Sequence, residues 1–114
     1  MSKFVEAMDM YKSALTETLK ISDFDETLLT AVAKGLGPSI YNADSSLVSC
    51  SDKTEKDRVK NNFLIKKLGL EDSAALDTAI DEVCEIFGSA NRSKHRAIFY
   101  YLLVKKMGQE AFYA

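Results

Sequence analysis

The sequence predicts an all-α fold, a compact multihelical bundle of about five helices with a central apolar last helix. Three observations carry this prediction. Apolar residues recur three and four positions apart in successive segments, capping residues and glycines punctuate those segments, and no stretch alternates apolar with polar residues in a way that would build a sheet. The 114 residues, 46% hydrophobic and 28% charged with one proline, suffice for one hydrophobic core, so residues 1–114 are expected to form a single domain.

The first helix is expected over residues 3–20, where Phe4, Met8, Tyr11, Leu15 and Leu19 form a stripe behind Ser2 as an available cap. Asp23-Phe24-Asp25-Glu26 has the form of a capping box. Leu28, Leu29, Val32 and Leu36 follow at helical spacing until Gly35 and Gly37-Pro38 interrupt, which predicts a second helix ending near Lys34. Asp52 can cap a third helix over residues 53–68 closed by Gly69. Its apolar residues Val59, Phe63, Leu64, Ile65 and Leu68 are spread around an α-helical wheel, so its buried face is undefined. The fourth helix, residues 73–87, places Leu76, Ile80, Val83 and Phe87 on one stripe and Asp77, Asp81, Glu82 and Glu85 away from it. Gly88 follows as its stop. The last helix, residues 92–107, runs Ile98-Phe99-Tyr100-Tyr101-Leu102-Leu103-Val104 as an unbroken apolar and aromatic run, the pattern of a helix buried on every side; a buried strand is the competing reading, less favoured because RSKHR and KKMG flank the run and nothing else alternates at period two to pair with it.

Between the N-terminal helix pair and the C-terminal three-helix unit lies residues 38–52, rich in Ser, Asn and Asp, which favour turns over helix. Ile40, Tyr41, Leu47 and Val48 give it apolar anchors, so an ordered loop is expected. The candidate binding residues are Tyr41, Asn42, Asp44, Ser45, Ser46, Ser49, Cys50 and Asp52. Two richer readings of this region fail on chemistry. Gly35-Leu36-Gly37-Pro38-Ser39 lacks the order of a phosphate-binding loop. Asp44 to Glu55 echoes a calcium loop in spacing but has Val48 where a side-chain oxygen is needed and Ser49 where the turn glycine belongs. No metal and no cofactor are expected.

The charge is segregated although the net value is only −2. Residues 53–70 carry six basic and two acidic side chains, residues 71–88 six acids and no base, and residues 89–108 five bases and no acid. Antiparallel neighbours would therefore pair acid with base. A nucleic-acid alternative uses Arg92, Lys94, Arg96, Lys105 and Lys106, with Tyr100 or Tyr101 as stacking surfaces and support from the basic third helix. An enzymatic alternative sets Cys50 as nucleophile beside His95, the only histidine. No complete catalytic constellation stands out, so no catalytic residue is assigned and an enzyme is the less favoured class. Two cysteines without a CxxC spacing read as reduced thiols, Cys84 in the core and Cys50 in the loop. No apolar run reaches the roughly 20 residues of a membrane span, and the N-terminus lacks a secretory pattern, so a cytoplasmic protein is expected.

At GLGPSIYNADSSLVSCSD, then VKNNFLIKKLGL, then FGSANRSKHRAIFYYLL, the chain resembles a family of short bacterial proteins known only as a domain of unknown function. The resemblance spans nearly the whole chain. It implies an all-α multihelical fold and a bacterial cytoplasmic setting, and it brings no activity, cofactor or catalytic residue. The leading expectation is a small helical interaction or regulatory domain that binds another protein or itself.

Overall fold

The computed structural model describes residues 3–42, 46–88, 90, 91 and 93–113. Among the described residues five α-helices form within the five segments read as helical: α1 Lys3–Ser13, α2 Glu26–Leu36, α3 Lys53–Arg58, α4 Ala74–Phe87 and α5 Arg96–Lys106. Short 3₁₀ turns at Gly37–Tyr41 and Glu110–Tyr113 follow α2 and α5. Among the described residues the sole β pairing is an isolated antiparallel bridge between Leu47 and His95, and no helix is long and apolar enough to cross a membrane.

Local chemistry sets the helix starts. The Asp25 carboxylate accepts the Leu28 N–H at 3.1 Å, and the Asp52 carboxylate accepts the Thr54 N–H at 2.9 Å, each filling one of the donors a helix start leaves open. The Asp25 N–H in turn donates to the Tyr101 hydroxyl at 2.7 Å, tying the cap of α2 to the last helix. Helix α5 begins at Arg96, later than the expected 92, because the preceding backbone is extended and bonded to the loop.

Helices α1 and α3 do not stop where their α winding ends. Each continues as a wider π-wound segment, Ala14–Thr18 and Val59–Lys67, with bonds that reach back five residues. Leu19 N–H donates to Ala14 C=O at 3.0 Å, and Leu68 N–H to Phe63 C=O at 2.9 Å. Both then terminate on a residue with positive φ, Lys20 at 60° and Gly69 at 75°. The next N–H folds back in each case, Ile21 onto Leu15 C=O and Leu70 onto Leu64 C=O. This winding explains the scattered wheel of the third helix. Val59, Phe63 and Leu64 lie on the inner side of the wide turn with Leu68 just beyond, and all four are buried.

Helix α5 is the shared centre. Its eight residues Ala97 to Val104 are all buried, and it packs against α2 on one side and α4 on the other. Phe99 stacks on Phe87 with centroids 5.9 Å apart, and Tyr100 stacks on Phe63 at 4.0 Å. Each such ring removed from water contributes about 1.5–3 kcal/mol, so α5 is the element both flanking units need.

The segregated charges meet as the alternation of sign requires. Lys56 pairs with Asp81 at 2.5 Å, Lys60 with Asp72 at 2.8 Å and Asp77 at 3.1 Å, and Lys106 with Glu82 at 3.3 Å. The first and third lysines lie on α3 and α5 or beside them, and α4 supplies three of the four acids. The α3–α4 pairings run antiparallel. The hydrogen bonds it donates to the Asp72 and Asp77 carboxylates hold the Lys60 ammonium above its ordinary titration range.

One expectation is corrected here. Cys50 and Cys84 are not free thiols but form a disulfide across 34 residues, with their Cα atoms 6.0 Å apart. The reason is tertiary: the loop turns back over α4, whose last turn carries Cys84, and neither cysteine has a sequence neighbour that would announce the pairing.

Candidate functional site

The loop expected over residues 38–52 is an ordered element held by several independent ties. Gly37–Tyr41 is a 3₁₀ turn whose Ile40 is buried. Ser46 N–H donates to Asn42 C=O at 2.8 Å, closing the loop on itself. Ser46 to Val48 then runs beside Lys94 to Arg96. Val48 N–H donates to Lys94 C=O at 2.8 Å, and Arg96 N–H donates to Ser46 C=O at 2.7 Å. Val48 is buried, and Cys50 is joined to α4 by the disulfide. Asp52 ends the loop as the cap of α3.

An ion pair locks the same junction from beneath. Arg96 Nη2 lies 2.5 Å from Glu55 Oε1, with both side chains nearly buried at 14% and 13% exposure. The same nitrogen donates to the Leu47 carbonyl at 3.3 Å, and Nη1 donates to the Tyr100 hydroxyl at 2.9 Å. Arg96 thus satisfies loop, α3 and α5 at once. Burial alone would lower its affinity for a proton, but Tyr100 and Glu55 more than offset that and hold it above the ordinary arginine value. Burial likewise raises the Tyr100 phenol, against the pull of Arg96.

His95 lies beside this junction with its ring 5.4 Å from that of Tyr11. Burial lowers its proton affinity, so the neutral imidazole is favoured, and burial with Tyr41 nearby pushes the Tyr11 phenol up to about 12. Lys3 on α1 sits 6.0 Å over the Tyr41 ring.

The candidate residues therefore divide. Ser46, Cys50 and Asp52 are engaged in the fold through a backbone pairing, a disulfide and a helix cap. Tyr41, Asn42 and Ser49 face outward, with Ser49 Oγ 3.4 Å from Ser51 Oγ. Asp44 and Ser45 lie outside the described residues. Leu47, expected as an apolar anchor, is instead 36% exposed on the outer side of the bridge, and sequence reasoning missed Glu55, the last position of the rejected calcium spacing, which neutralises Arg96. For Glu55 the available signal was its place as one of two acids in an otherwise basic helix.

The basic set of the nucleic-acid alternative is dispersed. Lys94 is 8% exposed, and its ammonium donates to the Asn91 carbonyl. Arg96 is committed to Glu55, Lys105 lies 3.6 Å from Glu110 and Lys106 3.3 Å from Glu82. Tyr100 and Tyr101 are buried. Arg92 lies outside the described residues. The Cys50–His95 pairing is corrected as well: a disulfide sulfur is no nucleophilic thiolate, and the His95 ring faces Tyr11. Among the described residues no group of three or more His, Cys, Asp or Glu side chains is arranged to hold a metal ion.

Set against known proteins, the sequence profile of the family described as Protein of unknown function (DUF2853) matches residues 10–111. The chain belongs to the DUF2853 family. The match takes in α2 to α5, all of the loop and the disulfide, so the junction around Arg96 lies wholly within the family region. No curated protein matches the chain.

Proposed function

We propose that this DUF2853 protein is a small helical interaction or regulatory module, whose contact surface is the outer face of the loop carrying Tyr41, Asn42, Leu47 and Ser49. One observation supports the reading above others. The loop backbone is fixed by bridge, disulfide, buried ion pair and helix cap, yet Tyr41 at 44% and Leu47 at 36% exposure project from it into solvent. A fixed backbone presenting apolar side chains loses little entropy when a partner covers them, which is how preorganised contact surfaces gain affinity. The partner we propose is another protein or a second copy of this chain, in a bacterial cytoplasm.

The test is photocrosslinking in the native host from a reactive side chain at position 47, with position 30 on the exposed side of α2 as the comparison. A discrete adduct from position 47 alone, lost when Tyr41→Ala is added while the melting temperature holds, supports the reading. Equal yields from both positions would end it. Alanine at Asp44, Ser45 and Ser46 provides a further check, since those changes should weaken the adduct without unfolding the domain.

A further inference from the structure

The disulfide is the covalent tie at this junction, and the one that thiol exchange can open. Ser49 and Ser51 on either side of Cys50 are exposed, and among the described residues no hydrogen bond joins Ser49, Cys50 or Ser51 to α4. The covalent bond to Cys84 therefore holds this turn against that helix. The neighbouring ties are separate. The backbone bonds of Ser46 and Val48 lie on one side, and the Asp52 cap on the other. Cys84 sits in the last turn of α4, and both sulfur-bearing residues are partly buried against the core.

We propose that Cys50–Cys84 is a reversible redox latch on the loop, closed as a disulfide under oxidising conditions and open as a dithiol when a cellular dithiol reductant acts on it. The reductant thiolate attacks Cys50 Sγ, the partly buried sulfur carried by the loop between the exposed Ser49 and Ser51. A mixed disulfide forms at Cys50, the Cys50–Cys84 bond breaks, and Cys84 leaves as a thiolate that takes a proton. The second thiol of the reductant then displaces Cys50, which is protonated in turn, and the reductant departs oxidised by two electrons. Cys84, the leaving sulfur, lies in the last turn of α4, next in sequence to Glu85. This inference goes beyond the interaction reading, and its test involves no partner.

The experiment compares the full chain oxidised with glutathione disulfide and reduced with dithiothreitol. Alkylation followed by intact mass counts the thiols, circular dichroism reports the helices, and hydrogen exchange reports the segments. Expected are no alkylation when oxidised and two when reduced, with unchanged helix content. Exchange across residues 46–51 should rise by at least about tenfold on reduction, with α2 unaffected and protection restored on reoxidation. Cys50→Ser with Cys84→Ser should match the reduced form. Two alkylations in the oxidised sample, equal exchange in both states, or loss of helix on reduction would each overturn the latch; the last would make the bond a structural staple.

Discussion

The two helix–turn–helix units that flank α5 reach the same backbone solution by different chemistry. In both, the first helix widens to π winding, stops on a residue of positive φ and sends the next N–H back to a buried leucine, Leu15 or Leu64. The C-terminal unit places Gly69 at the stop and adds the lysine–aspartate pairs between α3 and α4 together with the disulfide. The N-terminal unit places Lys20 there, a residue whose Cβ opposes that conformation, and takes its cross-ties from Lys12 with Glu26 at 3.3 Å and from the Tyr101 hydroxyl. Where packing against the shared centre is sufficient, the local backbone rule is relaxed. Where the unit also anchors the loop, a glycine takes the stop at no steric cost.

The largest expected effect tests whether the units are independent at all. Phe99→Ala in the shared helix should cost about 3–5 kcal/mol and lower both units in one transition; two transitions in a denaturant titration followed by separate probes in α2 and α4 would show that the comparison joins two self-sufficient pieces. Next, Glu55→Ala leaves the Arg96 guanidinium nearly buried without its carboxylate, and should cost about 3 kcal/mol by the same titration. The effect should concentrate on the C-terminal unit and the loop, read as faster exchange at Val48 than at Leu29.

The stop residues give opposite signs. Gly69→Ala should destabilise by about 1 kcal/mol, whereas Lys20→Gly should stabilise by up to about 1 kcal/mol, because only the first change introduces a Cβ at positive φ and only the second removes one. Equal signs in thermal melts would mean that the two stops are not equivalent. The smallest effect is one of pH. Burial depresses the His95 pKa in the fold, so the unfolded chain binds the proton more readily. Stability should fall as pH drops below the unfolded value near 6.5 and level off below the folded one, and His95→Phe should flatten that part of the profile.

The helices were legible because their burial is one-sided and regular, as in Leu76, Ile80, Val83 and Phe87, or complete, as in Ile98 to Val104. The acid–base alternation between α3, α4 and α5 was legible too, since each helix carries a single dominant sign. The π winding was not: Val59, Phe63 and Leu64 look scattered only on a wheel of α pitch, and no residue type marks the change. The loop could be recognised as ordered from its apolar anchors, but its ties join partners far apart in sequence. Arg96 with Glu55, Ser46 with Arg96 and Cys50 with Cys84 are set by tertiary placement, and a bridge of one residue pair leaves no periodic trace.

The order of the helices bears on how the core is assembled. Helices α1 to α4 are synthesised before α5, so the faces of α2 and α4 that pack on α5 wait for that partner. The core closes only once Ala97 to Val104 have emerged to fill the space between them.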